Sequence, residues 1–305
     1  MADTGATALA DERVDFVPLA SGFAFVEAPR VDDDGTIWFS DLTGTGYFRQ
    51  RPGQPAEAML PGRQWIGGAV LTVDGNVICS GRGGLVRIDA TSGEVTPVLT
   101  EFPGVDDLSI NDIEADRHGG LYGGTIDFVA IMERNETPRP GTFFYLAPDG
   151  ALRILRDDVF ASNGLGFSPD GKFMYHSETS RGVWRYPLAA DGTPGTPELL
   201  VGMEDSDGLV VDSKGAFWVV GWSSGDLRRY LPDGTLDRLI HLPFPHLVSV
   251  AFGGPDLHDL YISTGADAER PGIGGVVKIR VDVPGQRDFR TRIGMSDQGS
   301  VTRVA

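Results

Sequence analysis

Six stretches of this 305-residue chain open on a residue in the same register. The openings are Glu27, Gly67 or Gly68, Asn111, Asn163, Asp207 and Ser249. Four of the six are carboxylates or carboxamides, with no Cys or His among them. Two carboxylates and two carboxamides make an all-oxygen donor set. Such a set suits Ca²⁺, Mg²⁺ or Mn²⁺, and Zn²⁺ or Fe²⁺ less obviously. A site with few protein ligands keeps positions for water and a substrate, as catalytic sites do. Singly the residues are weak signals. Asn163-Gly164 and Asp207-Gly208 are ordinary turn dipeptides, and Glu27 alone reads as a rim charge. Their shared register makes them a candidate site.

The elements that must position them are hairpins. Residues 162–178 run from Asn163-Gly164 through a short apolar strand, a Pro-Asp-Gly turn and a second apolar strand. Versions of this hairpin begin at Glu27, Gly68, Asn111, Asp207 and Val248, at steps of 40–52 residues, the length of a four-stranded propeller blade. Further strand-like runs between them, such as Leu85-Val86-Arg87-Ile88 and Val183-Trp184-Arg185-Tyr186, supply each blade's outer pair. The expected fold is all-β, a six-bladed β-propeller. A two-sheet sandwich does not repeat one hairpin six times. In a propeller, equivalent positions converge on one axis, so residues far apart in sequence meet around one point.

Composition agrees. No stretch of ten or more residues has helical periodicity, and 42 Gly and 20 Pro fit a chain of many turns. A net charge of −17 argues against nucleic acid and anionic membrane partners. It is compatible with a cation at the bottom of a pocket. No run approaches a membrane span, and Met1–Asp11 lacks signal-peptide features, so a cytoplasmic protein is expected. Residues 1–12 read as a flexible tail and 13–305 as one propeller domain. Within it, Val14–Leu19 is a candidate strand that completes the last blade, with Pro18 at an edge. The longest irregular stretch, 127–141, has the length of a lid or binding loop.

Nucleophilic hydrolases fit less well. There is no Gly-x-Ser-x-Gly elbow, and Cys79 lies mid-strand as a small hydrophobe. Of five histidines, only His246 precedes an inner strand and can reach the channel. Trp65 and Arg63 lie near the channel mouth.

Several ordered pieces carry a resemblance. They are Glu27-Ala28-Pro29, Ser109-Ile110-Asn111-Asp112 with Gly124-Thr125, Ser162-Asn163-Gly164-Leu165, Ser206-Asp207-Gly208-Leu209 and Val248 through Gly254. With them the chain resembles the senescence-marker-protein/gluconolactonase family, the regucalcin-like lactonases, over about residues 20–282. The resemblance implies one catalytic divalent ion (Ca²⁺, Zn²⁺, Mg²⁺, Mn²⁺ or Fe²⁺) with ligands at Glu27, Asn163 and Asp207. It implies a substrate contact at Asn111 and a small-molecule lactone as substrate. Relatives of this architecture also hydrolyse organophosphates, so a phosphotriesterase at the same ion is an alternative, as is a non-catalytic Ca²⁺-binding propeller.

Two departures bear on the substrate. Ser109 stands where the animal sugar-lactonases have an arginine, and Asp127-Phe128-Val129 replaces the region of their glutamate. A lost cation beside Trp65, Phe128 and Phe244 suggests a less polyhydroxylated lactone. Asp207 is expected to be general base as well as ligand. Asn111 is expected to donate to the lactone carbonyl or ring oxygen, with Ser109, Asp127, Trp65 and His246 as further contacts.

Overall fold

The repeated hairpins fold as the inner halves of six sheets. The structure, a computed structural model, describes residues 11–12, 14–44 and 46–295. In the first sheet Val26–Val31 pairs with Ile37–Asp41, then Tyr47–Gln50 and Glu57–Leu60. The other inner strands are Ala69–Leu71, Ser109–Ala115, Ser162–Phe167, Ser206–Val211 and His246–Gly253. Each leads a set of antiparallel strands toward the periphery, as a propeller requires. Gly81–Arg82 adds a short strand on the inner side of the third sheet.

One apolar cluster fills each seam between neighbouring blades. Trp218 and Leu227 of blade five pack with Phe252 and Ile262 of blade six, for example. Inner strands are therefore buried on both faces, which explains their continuous rather than alternating apolar pattern. A seventh cluster lies outside the seams. It joins Leu42, Trp65, Ile126 and Phe128 from three blades.

The ring closes through the N-terminal strand. It spans Val17–Phe23, shifted from the expected 14–19, and pairs antiparallel with Gly274–Arg280 as the outermost strand of blade six. Pro18 sits on that edge strand, where a missing N–H costs no ladder bond. Of the expected tail, residues 1–10 lie outside the described residues. Asp11–Glu12 instead pairs in parallel with Leu239 and Ile240. The 127–141 stretch contains one short π-helix, Val129–Arg134. Beyond Arg280 the chain crosses the lower face, where the hairpin turns lie. Among the described residues no helix is long and apolar enough to cross a membrane.

Candidate active site

The pairing between inner and second strands slips at the same place in five blades. The slips lie between Glu27 and Arg30, Ile110 and Ile113, Ser162 and Leu165, Ser206 and Leu209, and Leu247 and Ser249. Asn111, Asn163 and Asp207 lie within these bulges, and Glu27, paired with Ser40, borders one. A bulge leaves a residue out of the ladder and turns its side chain away from the regular pleat. The Asn-Gly and Asp-Gly dipeptides are therefore bulge signals here, not hairpin turns. Their glycines are also where neighbouring inner strands touch. A Cβ on Gly164 would stand 2.0 Å from the Leu209 nitrogen, and one on Gly208 would stand 2.4 Å from Ser249 Cα.

Backbone strain marks the same region. Ala28, Trp65 and Ala161 have φ of 51°, 59° and 37°, a left-handed conformation costly for residues with a Cβ. Ala28 follows Glu27, and Ala161 lies two residues before Asn163.

Asn111 Nδ2 donates to Asn163 Oδ1 at 2.6 Å and to the Ser162 carbonyl at 2.7 Å. Asn111 was expected to donate to a substrate; here Nδ2 makes two hydrogen bonds within the protein. What it offers is Oδ1, an acceptor. Asn163 Nδ2 donates to Thr179 Oγ1 at 2.6 Å, and Thr179 donates to the Ser206 carbonyl at 2.6 Å. Thr179 thereby fixes which way the Asn163 carboxamide faces. Ser162 Oγ and His176 Nε2 lie 2.8 Å apart. Burial pushes His176 down to about 3, so the ring is neutral. Both residues are fully enclosed, and the pair braces the strand rather than attacking a substrate.

The carboxylates interact through space. Burial first, then Asp207 and Asp112, raises the proton affinity of Glu27 well above the usual range. Burial, Asp112 and Asp205 do the same for Asp207. Asp112, raised to about 7 by burial, was not among the expected site residues, although it adjoins Asn111. Mutual repulsion among buried carboxylates is the electrostatic condition a bound cation relieves. Among the described residues no three His, Cys, Asp or Glu side chains group as a metal set, so an ion held here needs the asparagine oxygens. The donor set fits a hard divalent ion.

These shifts carry a sign for stability. Asp112 reaches about 7 and Glu114, by burial, about 8. Each carboxyl holds its proton more tightly folded than unfolded. The stability so gained is present below about pH 4 and is lost as pH rises through the folded values. Ion-free protein should therefore melt at progressively lower temperature from about pH 5 to about pH 8. Thermal melts in chelator check this, and a melting temperature that rises over that interval contradicts it.

The remaining expected residues are placed as follows. Ser109 is buried on the Asn111 strand, and its hydroxyl has no partner among the described residues. Trp65 lies under the Arg82 guanidinium at 4.6 Å and beside Phe128 at 5.7 Å. His246 is flanked by Trp222 at 5.6 Å and Phe25 at 5.7 Å, with Nδ1 donating to the Trp222 carbonyl at 2.7 Å. That bond commits Nδ1 to the backbone. Asp127 is held within its own loop by Arg139 Nε at 2.9 Å and the Ala130 N–H at 3.2 Å. The structure does not join it to the axial four.

Glu27, Asn111, Asn163 and Asp207 are only 4–7% exposed. The apolar cluster of Leu42, Trp65 and Phe128 has Phe25 and Ala161 packed on it, and Ala161 lies two residues before Asn163.

Comparison with known proteins places the chain in a family. The SMP-30/Gluconolactonase/LRE-like region matches residues 25–266. The chain is 32% identical over 263 residues to a 6-deoxy-6-sulfogluconolactonase of Pseudomonas putida, covering 82% of this chain and 88% of that protein. It is 26% identical over 279 residues to a pentonolactonase of Haloferax volcanii, covering 86% and 92%. A crystal structure described as the calcium-binding protein regucalcin, from Agrobacterium tumefaciens, superposes with a TM-score of 0.79 at 24% identity, covering 93% and 100%. The protein belongs to the SMP-30/gluconolactonase/LRE-like family.

Proposed function

We propose that this protein is a lactonase that hydrolyses the ester bond of a small lactone at the axial cluster, with one divalent ion held by Glu27, Asn163 and Asp207. The observation that carries the reading is the oxygen set itself. Four inner strands on four blades present carboxylates and carboxamides around one axis, and the carboxylates repel one another. The names of the relatives support lactone chemistry.

A bound divalent ion would polarise the lactone carbonyl and offset the charge developing on its oxygen. The chain's residues do the rest. Asp207 accepts the proton of the attacking water. Without an ion, burial and the Asp112 charge raise the proton affinity of Asp207, whereas ligation would lower it. Asn163 presents Oδ1, with Thr179 holding its NH₂ group away. Asn111 buttresses Asn163 and accepts from a substrate hydroxyl. The Ser109 hydroxyl and His246 Nε2 supply polar contacts. Trp65, with Phe128 packed beside it, favours a lactone with an apolar substituent.

The test is a metal titration of chelator-treated protein, assayed for ring opening of aldonolactones and aromatic lactones. Chelation should abolish turnover, and one divalent ion per chain should restore it. Ion binding with turnover only of phosphotriesters would replace the lactone reading. Ion binding without turnover of either would favour a binding role, and full activity in chelator would remove the ion. A strong preference for sugar lactones would sink the apolar-substituent part alone.

A further inference from the structure

Next to the axial cluster lies a second set of buried polar groups that takes no part in the chemistry proposed above. Arg30 stands there, three residues beyond Glu27 on the same strand, and is buried. Its Nε donates to the Ala69 carbonyl at 2.6 Å. One terminal nitrogen donates to the Ile113 carbonyl at 3.1 Å and to Glu114 Oε2 at 2.7 Å. The other faces the Asp288 carboxylate at 3.9 Å. Ala69 and Ile113 belong to the inner strands of blades two and three. One side chain from blade one thus ties the next two blades to its own strand. Ile113 is two residues from Asn111.

Asp288 arrives on the C-terminal segment, which crosses the whole lower face. Gly285 N–H donates to the Leu257 carbonyl of blade six at 2.8 Å, and the Ser213 N–H of blade five donates to Pro284 at 2.9 Å. Gln286 Nε2 donates to Phe167 of blade four at 3.1 Å. Arg290 meets Asp32 of blade one at 2.8 Å, and Arg287 meets Asp33. Thr291 N–H donates to Leu71 of blade two at 3.0 Å, and Arg292 N–H to Gly119 of blade three at 2.8 Å. One strap therefore bonds all six blades and delivers a carboxylate to the axis.

We infer that Arg30, which faces the Asp288 carboxylate of this strap at 3.9 Å, is a positioning residue that sets the spacing of Glu27 and Asn111 and so the shape of the oxygen cluster. The inference rests on the ion site proposed above. A buried charge cluster is seldom the most stable way to fill a core. The planar guanidinium, however, fixes directions to two carbonyls and a carboxylate at once, which a lysine cannot do.

The test uses Arg30→Lys and Asp288→Asn in the full chain. Calcium affinity of chelator-treated protein is measured by calorimetry beside the melting temperature. Arg30→Lys should weaken calcium binding by about tenfold or more, as loss of a supporting partner does. Asp288→Asn should shift it the same way by less. A lower melting temperature with unchanged calcium affinity in both variants overturns the inference, leaving Arg30 and the strap as structural ties. If Arg30→Lys fails to fold, Asp288→Asn decides by the same criterion. If wild-type protein binds neither calcium nor magnesium, manganese, zinc or ferrous iron, the ion reading fails separately. Amide exchange of Ala69–Leu71 and Ser109–Ala115 then decides. Faster exchange of these strands at an unchanged melting temperature supports positioning; exchange that is unchanged, or that rises only with a lowered melting temperature, overturns it.

Discussion

Replacing Asp207 with alanine should reduce lactone turnover by about a thousandfold or more, equivalent to about 4 kcal/mol of barrier. The side chain is asked to do two things, to hold a cation and to take a proton, and alanine does neither. Activity within about tenfold of wild type, under about 1.4 kcal/mol, would remove both roles together. Asp207→Asn separates them, because the amide keeps an oxygen donor and loses the basic carboxylate. Unchanged ion affinity with lost turnover assigns the base role, while loss of both assigns ligation. The ion-free Asp207→Asn protein should also melt at higher temperature than ion-free wild type near neutral pH. Burial and the charges of Asp112 and Asp205 make the native carboxylate costly there, and the neutral amide relieves that cost. A lower melting temperature would contradict the electrostatic account of the site.

The substitution of Gly67 by alanine should be nearly as damaging, although Gly67 carries no chemistry. A Cβ at this position would stand 1.8 Å from Asn111 Oδ1. The carboxamide is the movable partner, so it must swing away and give up its bonds to Asn163 and the Ser162 carbonyl. Each such bond contributes about 1 kcal/mol, so the chain should still fold. The Asn111–Asn163 pair, however, no longer presents two ordered oxygens. Catalytic efficiency should fall by about a hundredfold, matching Asn111→Ala within a few fold. Efficiency within about threefold of wild type would show that the Asn111 position is not needed for turnover. Gly67 was legible in the sequence only as the second blade's opening, the one without a polar side chain. Its small size makes room for the neighbouring blade's asparagine.

Other differences between expectation and structure have similar physical causes. Asp127 looked like a substrate contact because it follows the Gly124-Thr125 strand end. In the structure Arg139 of the same loop pairs with it. Asn111 looked like a donor because carboxamides have two amide protons. Its neighbours across the axis use both. Arg30 and Asp112 were visible in the sequence but carried no signal, since buried charges are recognised only by what surrounds them.

The sequence by itself determined the repeat, the six-bladed propeller and the register that brings Glu27, Asn111, Asn163 and Asp207 to one axis. These follow from local rules. Turn residues and short apolar runs define each hairpin, and radial symmetry does the rest. Only the tertiary structure decided that these residues sit at or beside bulges, that the amide protons of Asn111 are engaged, and that an arginine near one end of the chain faces an aspartate near the other beside the site. Those features depend on which groups lie opposite across a seam or a channel. Such neighbours are set by how the blades close, and sequence spacing holds no record of them.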